Sequence, residues 1–170
     1  MRSKENFSFL GIKNDPLVNK MINLLMQNGK RSKAEDVLKK AFQALDKVYP
    51  GRSLHIFYFS IFEARRDIGI RLKPKSKKRR KINSFNIYIP HKISPIKGVN
   101  LGMRALLKAS IERSTFKPFW YNLSQEILLA SFGKGDVVLK RYSLNKLAVS
   151  NKRRVHLGYR NLFPLISEYN

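Results

Sequence analysis

The sequence predicts a mainly α-helical protein, with about six helices in one bundle-like domain and a basic β-hairpin arm protruding from it. Two observations carry this. Apolar residues recur at helical spacing in successive stretches of the chain. After the third such stretch the period drops to two, on either side of a run that is polar and basic throughout.

Residues 1–15 read as an irregular basic extension. Asp15 suits a helix N-cap and Pro16 the first position of a helix over 16–28. Val18, Met21, Ile22 and Leu25 fall on one face of it, and Asn28-Gly29 ends it. Ser32 to Glu35 has the pattern of a capping box opening a second helix. Val37, Leu38, Ala41, Leu45 and Val48 form its stripe, and Pro50-Gly51 closes it. A third helix fits 53–66, capped by Ser53. Leu54, Phe57, Tyr58 and Ile61 share a face that Ile56, Phe59 and Phe62 widen, so this helix is expected to be central and buried on most sides.

Ile68, Ile70 and Leu72 alternate with polar residues or glycine, and so do Phe85, Ile87 and Ile89 with their neighbours. This gives an arm over 68–90, with Pro90 limiting one strand. A fourth helix fits 99–113, with Met103, Leu106, Leu107 and Ser110 inward and Arg104, Lys108, Glu112 and Arg113 outward. A fifth fits 116–132, starting near Pro118, with Trp120, Leu123, Ile127 and Ala130 as anchors. A sixth covers about 138–152. One helical domain with its arm thus spans 16–152, and 153–170 is a basic, then aromatic, tail.

Charge narrows the function. Lys plus Arg number 35 against 11 acids, a net +24. So one-sided a field points to a polyanion, most simply nucleic acid, and away from a small-molecule substrate. The densest run, Lys73 to Lys81, holds seven bases in nine residues: Lys73, Lys75, Lys77, Lys78, Arg79, Arg80 and Lys81. It would bind phosphates by releasing counterions, which gives affinity without sequence readout. Lys30, Arg31 and Lys33 surround the expected start of the second helix, where unpaired backbone N–H groups also favour phosphate.

Enzyme chemistry finds little to stand on. With no cysteine there is no disulfide, thiol catalysis or cysteine metal site. His55, His91 and His156 lie far apart, and His156 in its basic stretch reads as a packing or phosphate-contact residue. The acids are scattered among bases, as surface ion pairs are, whereas a two-metal site needs several together. No Gly-rich phosphate loop or nucleophile elbow occurs. The expectation is no catalytic residue, no metal and no cofactor. The longest apolar run, 56–62, is too short to span a bilayer, so no membrane partner is expected.

Leu25-Met26, then Gly29-Lys30-Arg31-Ser32-Lys33-Ala34-Glu35, resembles the L-M-x-x-G-K-[KR]-[ST]-x-A-E stretch of the small ribosomal subunit protein seven family, bacterial and organellar type. The order of features continues to match. Ile89-Pro90 ends a basic hairpin, and Leu101-Gly102-Met103-Arg104 is similar to the family's L-A-M-R. Lys140-Arg141, Leu147-Ala148, Asn151-Lys152, His156 and Tyr159-Arg160 look like its C-terminal motif. The resemblance covers about 13–160.

That resemblance implies a non-enzymatic protein that binds the 3′ major domain of small-subunit ribosomal RNA and nucleates the subunit head. It implies rRNA contacts from Lys30, Arg31, Lys33, the arm residues named above, Arg104, Lys108 and Arg113. It places Lys78, Arg79, Arg80, Lys140, Arg141, Lys152, Arg153 and Arg154 near exit-site tRNA and mRNA. Proteins nine and eleven would be neighbours. The many residues with AT-rich codons and the long arm point to an organelle-encoded version on the mitochondrial ribosome, ahead of a plastid one. The rival reading is an architectural DNA-binding protein whose basic β-arm enters the minor groove, with Pro74 as a wedge.

Overall fold

The structure, a computed structural model, describes residues 11–12, 14–73, 87–113 and 116–155. Along the chain come α1 (Pro16–Leu25), α2 (Arg31–Val48), α3 (Ser53–Ala64), β1 (Ile68–Lys73), β2 (Ile87–Lys92), α4 (Pro95–Glu112), α5 (Phe119–Ser131), α6 (Asp136–Ser150) and a 3-10 turn, Lys152–Arg154. The chain is mainly helical with a small antiparallel hairpin, as its periodicities require. The described residues cluster into two units. One draws on Met1–Arg65 and Val99–Leu139, the other on Arg66–Gly98 and Lys140–Asn170. Among the described residues, no helix is long and apolar enough to cross a membrane.

In the first unit, the Asp15 carboxylate accepts from the backbone N–H of Leu17 (2.9 Å) and Val18 (3.1 Å), with Pro16 opening α1. This is the expected cap. The lead-in before it is not wholly irregular, for Gly11 and Ile12 are helical and Ile12 packs on the core. The helix ends at Leu25, short of 28. Met26 turns extended, and Asn28 and Gly29 both take positive φ, 51° and 72°, which no right-handed helix accommodates.

The capping box at Ser32 does not form. The turn closed by Lys30 N–H on the Gln27 carbonyl brings the chain into helix two residues early. Lys30 becomes the cap, without a side-chain bond, and Ser32 falls inside the first turn of α2. Glu35 accepts from Arg31 Nε at 2.8 Å instead. Leu38, Ala41 and Leu45 are buried as expected, joined by Ala34 and Phe42. Val48, at the last residue of α2, is exposed.

Ser53 is likewise buried in the first turn of α3, and Arg52 is the cap. Phe57 meets Phe42 edge-on at 5.3 Å, at the centre of the main apolar cluster. α5 packs against both α2 and α3. The expectation that α3 is buried on most sides is corrected: Phe59 and Phe62 are exposed. The helix is apolar around its circumference, and its neighbours cover only the side that carries Phe57, Ser60, Ile61 and Ala64.

α4 begins at Pro95 rather than 99, since a proline opens a helix at no cost in hydrogen bonds. Met103, Leu106, Leu107 and Ser110 are buried as the spacing requires. Gly102 lies where a Cβ would stand 2.9 Å from the Ala64 carbonyl group, so the close passage of α4 past the end of α3 needs glycine. Leu123, Ile127 and Ala130 of α5 are buried, whereas Trp120 is only half-buried. Val137 and Val138, at the start of α6, join Ala64, Leu106, Ala109 and Ala130 in a second apolar cluster.

In the second unit, β1 and β2 pair from Ile68 opposite Lys92 to Lys73 opposite Ile87. Pro90 pairs opposite Ile70, inside β2, so it does not end the strand. A two-stranded sheet leaves each strand one open edge, where a missing N–H is tolerated. The expected strand residues 85 and 86 lie outside the described residues. Gly69 leaves room for the His91 ring, 2.7 Å from where a Cβ would be. Burial, followed by the charge of Arg71, lowers the His91 pKa; the Ile89 backbone works the other way, and the charge of Lys97 lowers it further. The 3-10 turn lies against β2.

Candidate nucleic-acid interface

The expected bases fall into two sets. In the first unit, Lys30, Arg31 and Lys33 are all exposed where α2 begins. The Arg31 N–H is taken by the Gly29 carbonyl at 2.9 Å, and the Ser32 and Lys33 N–H groups that follow it have no capping side chain. Lys30 and Lys33 border a groove of about 490 Å³ whose floor includes Leu24, Val37, Leu107 and Phe119. The groove thus brings the motif turn to the face of α4 that carries Leu107 and Ile111. Arg104 and Lys108 are exposed on α4.

Three of these bases already have acidic partners. Arg31 bonds Glu35 and also donates to Asn19 Oδ1 at 2.6 Å. Lys108 is 3.5 Å from Glu112, an exposed pair that costs little to open. Arg113 donates to Glu126 at 2.8 Å, and this pair is the more buried, with the carboxylate only 9% exposed. Arg113 therefore holds α5 to the end of α4, a role its outward-facing reading did not include.

The second unit carries the other set. Lys140, Lys152, Arg153 and Arg154 are exposed, and Arg141 is half-buried with its guanidinium 5.3 Å from the centre of the Tyr142 ring. Arg154 is steadied by Asn151 Oδ1 at 2.8 Å. Lys92 and Lys152 border an apolar groove of about 250 Å³ lined by Ile68, Pro90, Val149 and Val155. Arg71 and Lys92, exposed on the strands, were not among the expected contacts, although their alternation with Ile68, Ile70 and Ile93 marks them in the sequence. Lys73 is the last residue of β1. Lys75, Lys77, Lys78, Arg79, Arg80, Lys81 and His156 lie outside the described residues.

The profile of the family described as Ribosomal protein S7p/S5e matches residues 3–152. The chain belongs to that family. Its relatives include the small ribosomal subunit protein uS7 of Shewanella sediminis, 30% identical over 84% of this chain and 86% of the relative. The uS7 protein of the Aster yellows witches'-broom phytoplasma is 30% identical over 85% of this chain and 88% of its own. That of Polaromonas naphthalenivorans is 27% identical over 82% and 85%. The protein is a structural component of the small ribosomal subunit and not an enzyme. The match takes in the Lys30 turn, the α4 bases, Lys140, Arg141 and Lys152, and stops short of Arg153 and Arg154.

Proposed function

We propose that the protein binds the 3′ major domain of small-subunit ribosomal RNA, nucleates assembly of the subunit head, and reaches the exit-site tRNA and the mRNA path. The observation that carries this is the family match across a chain of net +24. Residues 16–152 act as one rRNA-binding domain. Lys30, Arg31, Lys33, Arg104, Lys108, Arg113 and the arm bases from Lys73 to Lys81 hold the rRNA. Lys78, Arg79, Arg80, Lys140, Arg141, Lys152, Arg153 and Arg154 lie towards tRNA and mRNA. Proteins nine and eleven of the subunit are its neighbours. The reported relatives are bacterial, while the abundance of Lys, Asn, Ile, Phe and Tyr, residues with AT-rich codons, supports a mitochondrial ribosome, ahead of a plastid one.

Filter binding to separate transcripts of the small-subunit rRNA domains tests this reading. The 3′ major domain should be preferred over the other domains and over duplex DNA by at least about tenfold, or about 1.4 kcal/mol. Equal binding to all the RNAs would remove the head assignment. Tighter binding to DNA would favour the architectural arm-in-groove reading instead.

A further inference from the structure

Phe59 on α3 is 62% exposed, and Phe132, just after α5, is 57% exposed. Tyr49, at the end of α2, is 38% exposed and lies 6.3 Å from Phe132, ring centre to ring centre, at an angle of 60°. These three rings, with Ile56, line a cleft of about 220 Å³. Arg52, His55 and Ser131 are its polar members, and no acid lines it among the described residues. The Ser131 hydroxyl donates to the Leu128 carbonyl, so its oxygen is left to accept. All of these residues belong to the first unit.

The core does not require these rings, since α2, α3 and α5 already close over Phe42 and Phe57. Exposed aromatic rings beside cations are the means by which proteins hold single-stranded nucleic acid: the ring stacks on a base and the cation meets its phosphate. A base-paired stem presents phosphates and sugar to such a surface and offers it no free base face. A second copy of this chain is a poor occupant, because each copy brings a net +24. We propose that the Tyr49–Phe59–Phe132 cleft is a stacking site for an unpaired RNA base, with Arg52 on the adjoining phosphate. The inference rests on the rRNA-binding reading and adds to it a second kind of contact, one made by rings rather than by charge.

The test uses the full chain and three probes: a fluorescent 12-residue oligo(A), a fully paired RNA duplex, and the rRNA transcript. Phe59→Leu/Phe132→Leu keeps apolar bulk and removes two ring faces. It should weaken oligo(A) binding by roughly five- to 150-fold, the range for one stacked base. Duplex affinity and salt slope should stay unchanged. Phe132→Tyr, which keeps the ring, should bind oligo(A) as the parent does. Arg52→Gln should make the salt dependence on oligo(A) shallower, by about one phosphate contact. Thermal melts followed by circular dichroism check that each variant folds, as substitution of exposed residues should allow.

If the double variant binds oligo(A) as the parent does, or weakens duplex binding equally, the stacking site is refuted. An apolar surface for a protein neighbour would then remain. If the parent itself fails to bind the rRNA transcript, the proposed function fails with it. If the parent binds the transcript but not oligo(A), only the cleft assignment falls.

Discussion

Asp15 is the residue on which the most local structure depends. Its carboxylate caps α1 and also accepts from the Tyr58 hydroxyl of α3, tying two helices across 43 positions of sequence. That hydrogen bond, with burial and then the Asp15 charge in support, raises the Tyr58 pKa. A raised pKa in the folded state means that folding favours the neutral phenol. The contribution is full below the unfolded value of about 10 and is lost as pH rises through the folded value. Tyr58→Phe should lower the urea midpoint at pH 7 and flatten its fall above pH 10. Parallel falls for both proteins above pH 10 would show that the bond contributes nothing.

Glu35 is a second case at this scale. Its expected capping role would have been worth about 1 kcal/mol. The exposed i,i+4 pair it forms with Arg31 is worth about 0.3–0.5 kcal/mol. Glu35→Ala should therefore barely move the melting temperature, while RNA binding tightens, because Arg31 loses an anionic competitor. Lys30→Ala should weaken RNA binding with little effect on folding. A melting loss from Glu35→Ala several times that from Lys30→Ala would restore the capping box.

Among the elements, the helices were legible wherever apolar residues on one face were matched by polar residues on the other. Met21, Ile22, Leu38, Leu45, Met103, Leu123 and Ile127 all stand in the core as their spacing requires. The misreadings have physical causes. In α3 apolar residues fall on every side of the helix, so spacing cannot say which side the neighbours will cover, and it points Phe59 and Phe62 inward. The helix starts at Arg31 and Ser53 follow the preceding turns, whereas the cap-forming side chains of Ser32 and Ser53 point to later starts. Of the candidate interface, the motif turn and its bases were visible. The aromatic cleft was not, because Tyr49, Phe59 and Phe132 are far apart in sequence.

For the arm, the strand register gives a direct test. Lys73 pairs opposite Ile87, so replacing 74–86 with Asn-Gly joins the strands by the two-residue turn that suits hairpin twist. The shortened protein should fold, with a helical circular dichroism spectrum. It should keep part of its rRNA affinity through Lys30, Arg31, Lys33, Arg104 and Lys108, and lose contacts made at the far end of the arm. Complete loss of rRNA binding by a folded protein would make the arm the anchor.

At the scale of the whole molecule, the dominant fact is 24 uncompensated positive charges on a chain that still folds around two apolar clusters. Repulsion of that size opposes compaction, and binding a polyanion relieves it. Stability and binding are therefore linked: the protein should melt at a higher temperature with rRNA than without it. The measurement that bears most directly on this is the salt dependence of binding to the 3′ major domain transcript. If six to ten phosphates are held, affinity should fall by about 10³–10⁵ between 50 and 200 mM salt. A log–log slope shallower than about −2 would mean that the charge is not what holds the RNA, and would contradict the account.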